Sequence, residues 1–369
     1  MKIQRVVVVG TGLIGTSVAL AVREKGAEVF LSDRDPASLA MAVELGAGTP
    51  LPRRLDRPAD LAVIAVPPAA VAAALKDLQK RGVARFYTDV ASVKARPVLD
   101  ALKLGCDLAT YVPGHPLAGR ERSGPAAARG DLFLGRPWAL CPTEAASGAA
   151  IEAVTALAEA CGAEILTVDP VEHDRAVALV SHGPHVVSAA MAARLGDGTE
   201  TALGLAGQGV RDVTRIAASD PDLWIGILTA NAEPVAAVLD AVAGDLALAA
   251  AMLRAAHGAD ADVAEVIMQK VGDLLSRGNQ GVARIPGKHG GGPSHYAIVS
   301  VLVPDSPGEL SRLFHAVGEA GVNIEDLSIE HSPGLPLGVA ELSVKPEAAE
   351  ALAAELRDRG WSVPVRSES

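Results

Sequence analysis

Over the first 170 positions, apolar residues come in short unbroken runs separated by stretches of helical spacing. Residues 3–9 include four consecutive valines, and residues 29–32, 61–66 and 86–90 repeat the pattern. Each run is short enough to be a strand buried on both faces. Helical periodicity fills 13–25, 69–79 and 95–103, so strands and helices alternate and predict a parallel sheet with right-handed crossovers. One more strand is expected to lead into a loop at His115, and a helix at 148–160 with a strand at 164–168 completes the region. Beyond Pro170 the pattern turns to alanine- and leucine-rich segments at 171–195, 203–218, 222–253 and 261–275, helical in period and without a convincing strand. Residues 276–294, with Gly-Asn-Gln-Gly and Lys-His-Gly-Gly-Gly-Pro, hold too few apolar positions to pack and read as a linker. The last stretch reads strand 296–303, helix 309–320, strands 322–329 and 335–344, helix 346–358 and strand 361–365.

At 369 residues the chain exceeds what one core organises, which predicts two or three domains. Its hydrophobic fraction of 49% is carried by alanine and aliphatics, with aromatics at 3%, which suits helices and parallel strands packed by small residues. A formal charge of −11 argues against nucleic acid and anionic membrane surfaces as partners, so an anionic substrate needs a local arginine. Cys106, Cys141 and Cys161 are odd in number and widely spaced, which suits free buried thiols in a reducing compartment. The apolar run at Val6 is too short for a signal peptide and the stretch 61–75 is broken by Pro67-Pro68, so a cytoplasmic protein is expected.

The first strand runs into Gly10-Thr11-Gly12-Leu13-Ile14-Gly15. The first glycine permits a tight turn, the second lets the backbone approach a pyrophosphate, and the third lets the helix pack on the sheet. Asp33 ends the second strand about 20 residues on, where a carboxylate accepts from ribose hydroxyls and favours NAD over NADP. Its other reading is a turn carboxylate ahead of a helix capped by Asp35, and Arg34 beside it offers a 2′-phosphate partner. The expected class is therefore α/β: a Rossmann-type parallel sheet over 1–169, an all-helical domain over 170–277, a linker over 278–294 and a ferredoxin-like βαββαβ unit over 295–369. His115, in Gly114-His115-Pro116-Leu117-Ala118-Gly119-Arg120-Glu121, lies beyond the carboxyl end of a strand, where an imidazole titrating near neutrality does acid/base work. Thr88-Asp89-Val90-Ala91-Ser92-Val93-Lys94 puts Ser92 on the same rim, either as a site residue or as the cap of the next helix. Glu172-His173-Asp174 precedes Ser181-His182-Gly183-Pro184-His185, where the proline implies a kink that turns both later histidines inward or outward together. The spacing matches no zinc signature, so no metal is expected. Arg215 lies on an apolar helical stretch, either paired with Asp212 or free to fork a substrate carboxylate.

Taken in order, G-T-G-L-I-G, D-V-A-S-V-K, G-H-P-L-A-G-x-E-x-S-G, S-H-G-P-H and T-R-I-A-A-S-D-P-D-L-W resemble the prephenate/arogenate dehydrogenase family of tyrosine biosynthesis over about residues 1–275. The tail, with Pro304-Asp305-Ser306-Pro307-Gly308-Glu309-Leu310 and Gly321-Val322-Asn323-Ile324, looks like an ACT domain, a module that commonly binds amino acids at paired interfaces. What the resemblance implies is an NAD-linked oxidative decarboxylation in a homodimer. His115 would take the C4 hydroxyl proton and Ser92 would orient that hydroxyl or the histidine. Arg215 would bind a substrate carboxylate, with Ser181 and His185 lining the pocket. Glu121 would face the ammonium of arogenate, a slight preference over prephenate. Gly10, Gly12, Leu13, Ile14, Gly15, Asp33, Val66 and Pro67 form the implied cofactor set. Asp305, Gly308, Leu310, Asn323 and Ile324 form the implied effector set, with tyrosine as the effector. Gly183 departs from the bulkier apolar residue expected there. Two other classes fit parts of the pattern: a two-domain hydroxy-acid dehydrogenase, which would need a lysine base in the helical segments, and a catalytically silent amino-acid sensor, against which His115 and Arg215 speak.

Overall fold

The computed structural model describes residues 3–119, 124–286, 296–331 and 336–364. Two compact units make up the chain, Met1–Gly244 and Asp245–Ser369. In the first, β1 (Arg5–Val9), α1 (Leu13–Glu24), β2 (Glu28–Ser32), α2 (Pro36–Glu44), β3 (Thr49–Pro50), β4 (Ala59–Ile64), α3 (Pro68–Lys80), β5 (Ala84–Asp89) and α4 (Ala95–Lys103) alternate as expected. The five strands form a parallel sheet in the order β3-β2-β1-β4-β5. Successive valines of β1 go to opposite faces. Val6 and Val8 join a core with Val18, Val22 and Leu157, and Val7 joins another with Leu75, Tyr87 and Tyr111. Helices thus cover both faces, which is why the strand could be apolar at every position; each such side chain is stabilised by about 1.5–3 kcal/mol on burial.

The region around His115 is built differently from the expectation. Its histidine does not follow a strand but sits in one: β6 (Gly114–Pro116) pairs antiparallel with β7 (Pro137–Leu140), which runs parallel to β8 (Glu164–Thr167) after α5 (Gly148–Ala160). This second, three-stranded sheet is joined to the first where Tyr87 bridges Tyr111 and the Val112 N–H donates to the Tyr87 carbonyl at 3.0 Å. The strand β7 escaped notice in the sequence because it is four residues long and starts on a proline.

Residues 170–195 form one long helical stretch: α6 (Pro170–Val177), a π-helical turn (Ala178–His182) and α7 (Gly183–Leu195). Pro184 has no N–H to give, and the helix accommodates it by widening just before it, with the Gly183 N–H reaching back to the Ala178 carbonyl. The expected segment 203–218 is split by Gly207 into α8 (Glu200–Gly204) and α9 (Gln208–Thr214), followed by a 3-10 turn (Arg215–Ala217). Likewise α10 (Pro221–Ala230) and α11 (Ala232–His257) are separated at Asn231. The stretch 170–195 and α11 are each long and apolar enough to cross a membrane by length and composition alone. α12 (Ala261–Val282) continues to Val282, so the expected linker at 278–294 begins too early; the rest of that linker beyond 286 lies outside the described residues.

The second unit also holds β9 (Ala297–Pro304), α13 (Glu309–Glu319), β10 (Asp326–His331), β11 (Leu337–Val344) and α14 (Pro346–Asp358), an antiparallel sheet in the order β10-β11-β9. Val299, Val301 and Val303 alternate into a core with Leu313, Leu342, Leu352, Leu356 and Trp361. The expected last strand is a single bridge, Leu302 to Ser362, among the described residues.

The unexpected Gly183 has a packing reason. A Cβ there would lie 2.7 Å from Val238 Cγ1 and 2.9 Å from the Ala178 carbonyl oxygen, so the missing side chain is what lets α11 approach α7. Gly183→Ala should therefore lower stability by about 1–3 kcal/mol through overpacking, seen as a lower Tm in thermal unfolding, whereas an unchanged Tm would mean that α11 stands off from this position.

Candidate active site

The carboxyl ends of β2, β1, β4 and β5 form one rim, and the candidate residues fall along it in that order. At one end, Gly10 has φ +98°, and a Cβ would sit 2.1 Å from the Ala65 carbonyl oxygen; at Gly15 a Cβ would sit 2.0 Å from the Gly10 oxygen. Both glycines are required by backbone approach. Gly12 is different, since a Cβ there would meet nothing within 4 Å. It opens α1 without a side-chain cap, leaving the first N–H groups, at the half-buried Leu13 and Ile14, to an anion. A cavity of about 470 Å³ adjoins it, lined by Gly10, Gly12, Asp33, Arg34, Val66 and Pro67 among others.

Asp33 lies beside the glycine loop and is more than a turn residue. Its Oδ2 accepts from the Thr11 N–H at 2.5 Å and hydroxyl at 2.9 Å, and its Oδ1 from the Asp35 N–H at 2.9 Å. Burial alone would push its carboxyl up, but these donors and the Arg34 N–H outweigh it and hold the group below its ordinary value. Asp35 caps α2 by accepting from Ala37 and Ser38 N–H groups, as the sequence suggested.

At the other end of the rim, a fully buried lysine ties the loops together. Lys94 Nζ donates to Asp89 Oδ1 and to the Gly114 carbonyl, while the Tyr111 hydroxyl donates to Asp89 Oδ2 at 2.5 Å. Burial, then the Asp89 charge, raises the Tyr111 phenol well above its usual range and keeps it a donor. Gly114 itself is pressed against β5, a Cβ there being 3.0 Å from the Asp89 oxygen, so β6 carries His115 beside the carboxyl end of that strand.

His115 is half-buried, and its Nδ1 lies 2.9 Å from His173 Nε2. His173 Nδ1 is in turn 2.8 Å from Asp174 Oδ1. Burial first, then the charges of Lys94, His173 and His182, keeps the His115 imidazole well below its ordinary value. Ser92 sits half-exposed on the same rim but does not cap the following helix. That cap comes from Asp174, whose two oxygens accept from the Lys94 N–H at 2.7 Å and the Ala95 N–H at 2.9 Å. Sequence reasoning missed this because the partner stands 80 residues away.

From the helical side, the kink turns His182 and His185 inward, at 2% and 8% exposure. His185 stacks on Trp224 with ring centroids 3.5 Å apart and its Nε2 is 3.1 Å from the Ser219 hydroxyl. His182 meets the same indole edge-on, and its Nδ1 accepts from Asn231, whose amide also donates to the Asp174 carbonyl. Burial pushes the His182 imidazole down to about 4. Ser181 is exposed on the π-helical turn. Arg215 is exposed on the 3-10 turn that packs against α7, and its expected pairing with Asp212 does not form, since Asp212 accepts from Gln208 instead. Glu121 lies outside the described residues. Trp224, Lys94, His173 and Asn231 were not assigned roles from sequence, although Lys94, His173 and Trp224 stand inside the motifs that drew attention. In the second unit, Gly308 has φ +91° at the start of α13, Asn323 donates to Glu325 at 2.8 Å, Asp305 and Leu310 are exposed, and Ile324 is half-buried.

Residues 18–167 match the family model described as prephenate dehydrogenase, nucleotide-binding domain, and residues 169–269 match prephenate dehydrogenase, dimerization domain. A probable prephenate dehydrogenase, NovF, from Streptomyces niveus is 43% identical over 360 residues, covering 96% of this chain and 98% of the relative. Among solved structures, prephenate dehydrogenase from A. aeolicus in complex with hydroxyphenyl propionate and NAD+ is 27% identical with a TM-score of 0.63, covering 76% of this chain and 99% of that one. Synechocystis arogenate dehydrogenase is also 27% identical, with a TM-score of 0.59 over 74% of this chain and 100% of its own. With the glycine loop, the acidic residue at β2 and a base-competent histidine on one rim, these likenesses place the chain in the prephenate dehydrogenase family.

Proposed function

We propose that this protein catalyses the NAD-dependent oxidative decarboxylation of prephenate or arogenate, with His115 as the base. The observation that carries the role of His115 is its position on β6, beside the carboxyl end of β5, in an environment that keeps it unprotonated at neutral pH. NAD fits the other end of the rim: Gly12 leaves room for a pyrophosphate, and Asp33 is an acceptor held ionised by its donors. NAD held by the glycine loop and Asp33 would supply the hydride acceptor for C4 of the substrate. His115 accepts the proton of the C4 hydroxyl as that carbon is oxidised. The bond from C1 to the ring carboxylate then breaks, carbon dioxide leaves, and its electron pair aromatises the ring onto the C4 oxygen, which His115 can reprotonate. Ser92, on the same rim, orients the hydroxyl or the histidine. Ser181 and His185 belong to the helical wall, Arg215 forks a substrate carboxylate, and Glu121 favours the ammonium of arogenate.

The same reading covers the assembly. The exposed apolar length of α11 suits burial against a second copy, in keeping with the dimerization-domain match, and a cytoplasmic location follows from a biosynthetic role. The antiparallel sheet with α13 and α14 on one side is read as a ferredoxin-like ACT domain, with the ligand-facing turns at Asp305, Gly308, Leu310, Asn323 and Ile324 and tyrosine as effector.

The direct test is formation of reduced nicotinamide with each substrate and each of NAD and NADP. His115→Asn should lower kcat by roughly 10²-fold or more while leaving NAD affinity nearly intact, and turnover close to wild type would remove it from the mechanism. In the wild type, the acid limb of the kcat/KM profile should lie below the ordinary histidine value of about 6.5, because activity is lost only as pH falls through the lowered His115 value. Arg215→Ala should raise KM strongly with a smaller change in kcat, and Arg215→Lys should not restore it, since an ammonium cannot supply two parallel hydrogen bonds. For the tail, tyrosine titrated at matched substrate saturation into the full chain and a chain truncated after residue 286 should differ about 5- to 150-fold in apparent affinity; identical responses would reassign the tail to assembly.

A further inference from the structure

Two residues, His173 against His115 and Asp174 behind it, bear on which His115 nitrogen carries the proton. Asp174 accepts at both oxygens, from the Lys94 and Ala95 N–H groups that start α4. These are donors that cannot accept, so both Asp174 oxygens act as acceptors, and the carboxylate offers His173 acceptor lone pairs. His173 Nδ1, 2.8 Å away, must then be the donor. A neutral imidazole protonated at Nδ1 has a bare Nε2, and that bare nitrogen faces His115 Nδ1 at 2.9 Å. His115 Nδ1 must in turn carry a hydrogen, which leaves the Nε2 lone pair exposed for chemistry.

We infer that Asp174 and His173 are positioning residues that lock His115 in its Nδ1-protonated tautomer and so present Nε2 as the proton acceptor. The inference rests on the proposed role of His115 as base. It gives the two residues of Glu172-His173-Asp174 a function that neither metal binding nor helix capping supplies. A histidine free to choose its tautomer would offer its hydrogen rather than its lone pair to a substrate hydroxyl for part of the time, and each such encounter is unproductive. The relay is rigid for visible reasons. His173 and Asp174 are each 3% exposed, and the Asp174 carbonyl is held by Asn231 Nδ2 at 2.8 Å. Among the described residues, the other charged and titratable groups that act on His115 are Lys94, spent on Asp89 and Gly114, and His182, whose Nδ1 accepts from the same Asn231. When His115 takes up a proton, Asp174 is the nearby anion that offsets it through His173.

The tautomer can be read without turnover. In the full-length protein with isotopically labelled histidine nitrogens, the His115 signals, assigned by their loss in His115→Asn, should show a protonated Nδ1 and a bare Nε2 at neutral pH. A His115 protonated at Nε2 overturns the proposal. Turnover then tests the consequence. His173→Leu should lower kcat at least about tenfold with little change in substrate KM, because the substrate still binds but meets the wrong nitrogen. His173→Gln, whose side-chain oxygen can accept from His115 Nδ1, should recover part of that loss. Wild-type kcat in a folded His173→Leu protein would overturn the inference. If instead His115→Asn stays active, the base assignment itself falls, and the spectrum still reports on the relay by itself.

Discussion

An ammonium group sealed from water underlies the active-site rim. Lys94 and Asp89 are both fully buried, and a buried charge is tolerable only when its partners are complete. Here the carboxylate takes Lys94, the Tyr111 hydroxyl and the Ala91 N–H, and the ammonium also takes the Gly114 carbonyl. Those partners come from β5, the loop that follows it, and the strand of the second sheet that carries His115. Apart from the bridge at Tyr87 and Tyr111, the two sheets share an apolar core in which Val6, Val8 and Val63 lie with Trp138 and Leu140. Removing one partner of such a pair typically costs about 3–5 kcal/mol, because the other is left buried and unpaired. The apolar core joins the sheets, and the electrostatic knot ties the strand of His115 to the end of β5.

The knot also shapes the chemistry above it. The chain is strongly acidic overall, yet burial and then the positive charge of Lys94 hold the His115 imidazole well below its ordinary value. In the proposed reaction the proton leaves the C4 oxygen and returns to it once the ring is aromatic, so the base is restored within the turnover. A neutral, enclosed histidine suits that cycle, since no proton needs to reach bulk water.

Much of this was legible in the sequence where local rules suffice. Gly10 and Gly15 announced their tight backbone approaches through spacing, Asp35 and Pro36 announced a helix start, and the alternation of apolar runs announced the parallel sheet. What was not legible depends on partners far along the chain. Ser92 looked like a cap because serine is a good one, but Asp174 reaches the α4 N-terminus first from a separate helix. The Asp212 pairing expected for Arg215 lost to Gln208, one turn away on the same helix. β7 lacks the length to rise above background, and Trp224, although it closes the motif that begins at Thr214, stacks on His185 only when two helices are packed.

The π-helical turn at Ala178–His182 has a bearing on how relatives are compared. One residue in an α-helix corresponds to a rotation of about 100°, so a single extra residue in a turn re-aims every side chain that follows it. His182 and His185, three residues apart, share one helix face, and the turn that precedes them sets the azimuth of that face toward the indole. A related chain with the same letters but an ordinary α-turn here would present a different face to Trp224. Matching residues by column across this point compares positions in a string, whereas the chemistry depends on azimuth around the helix axis.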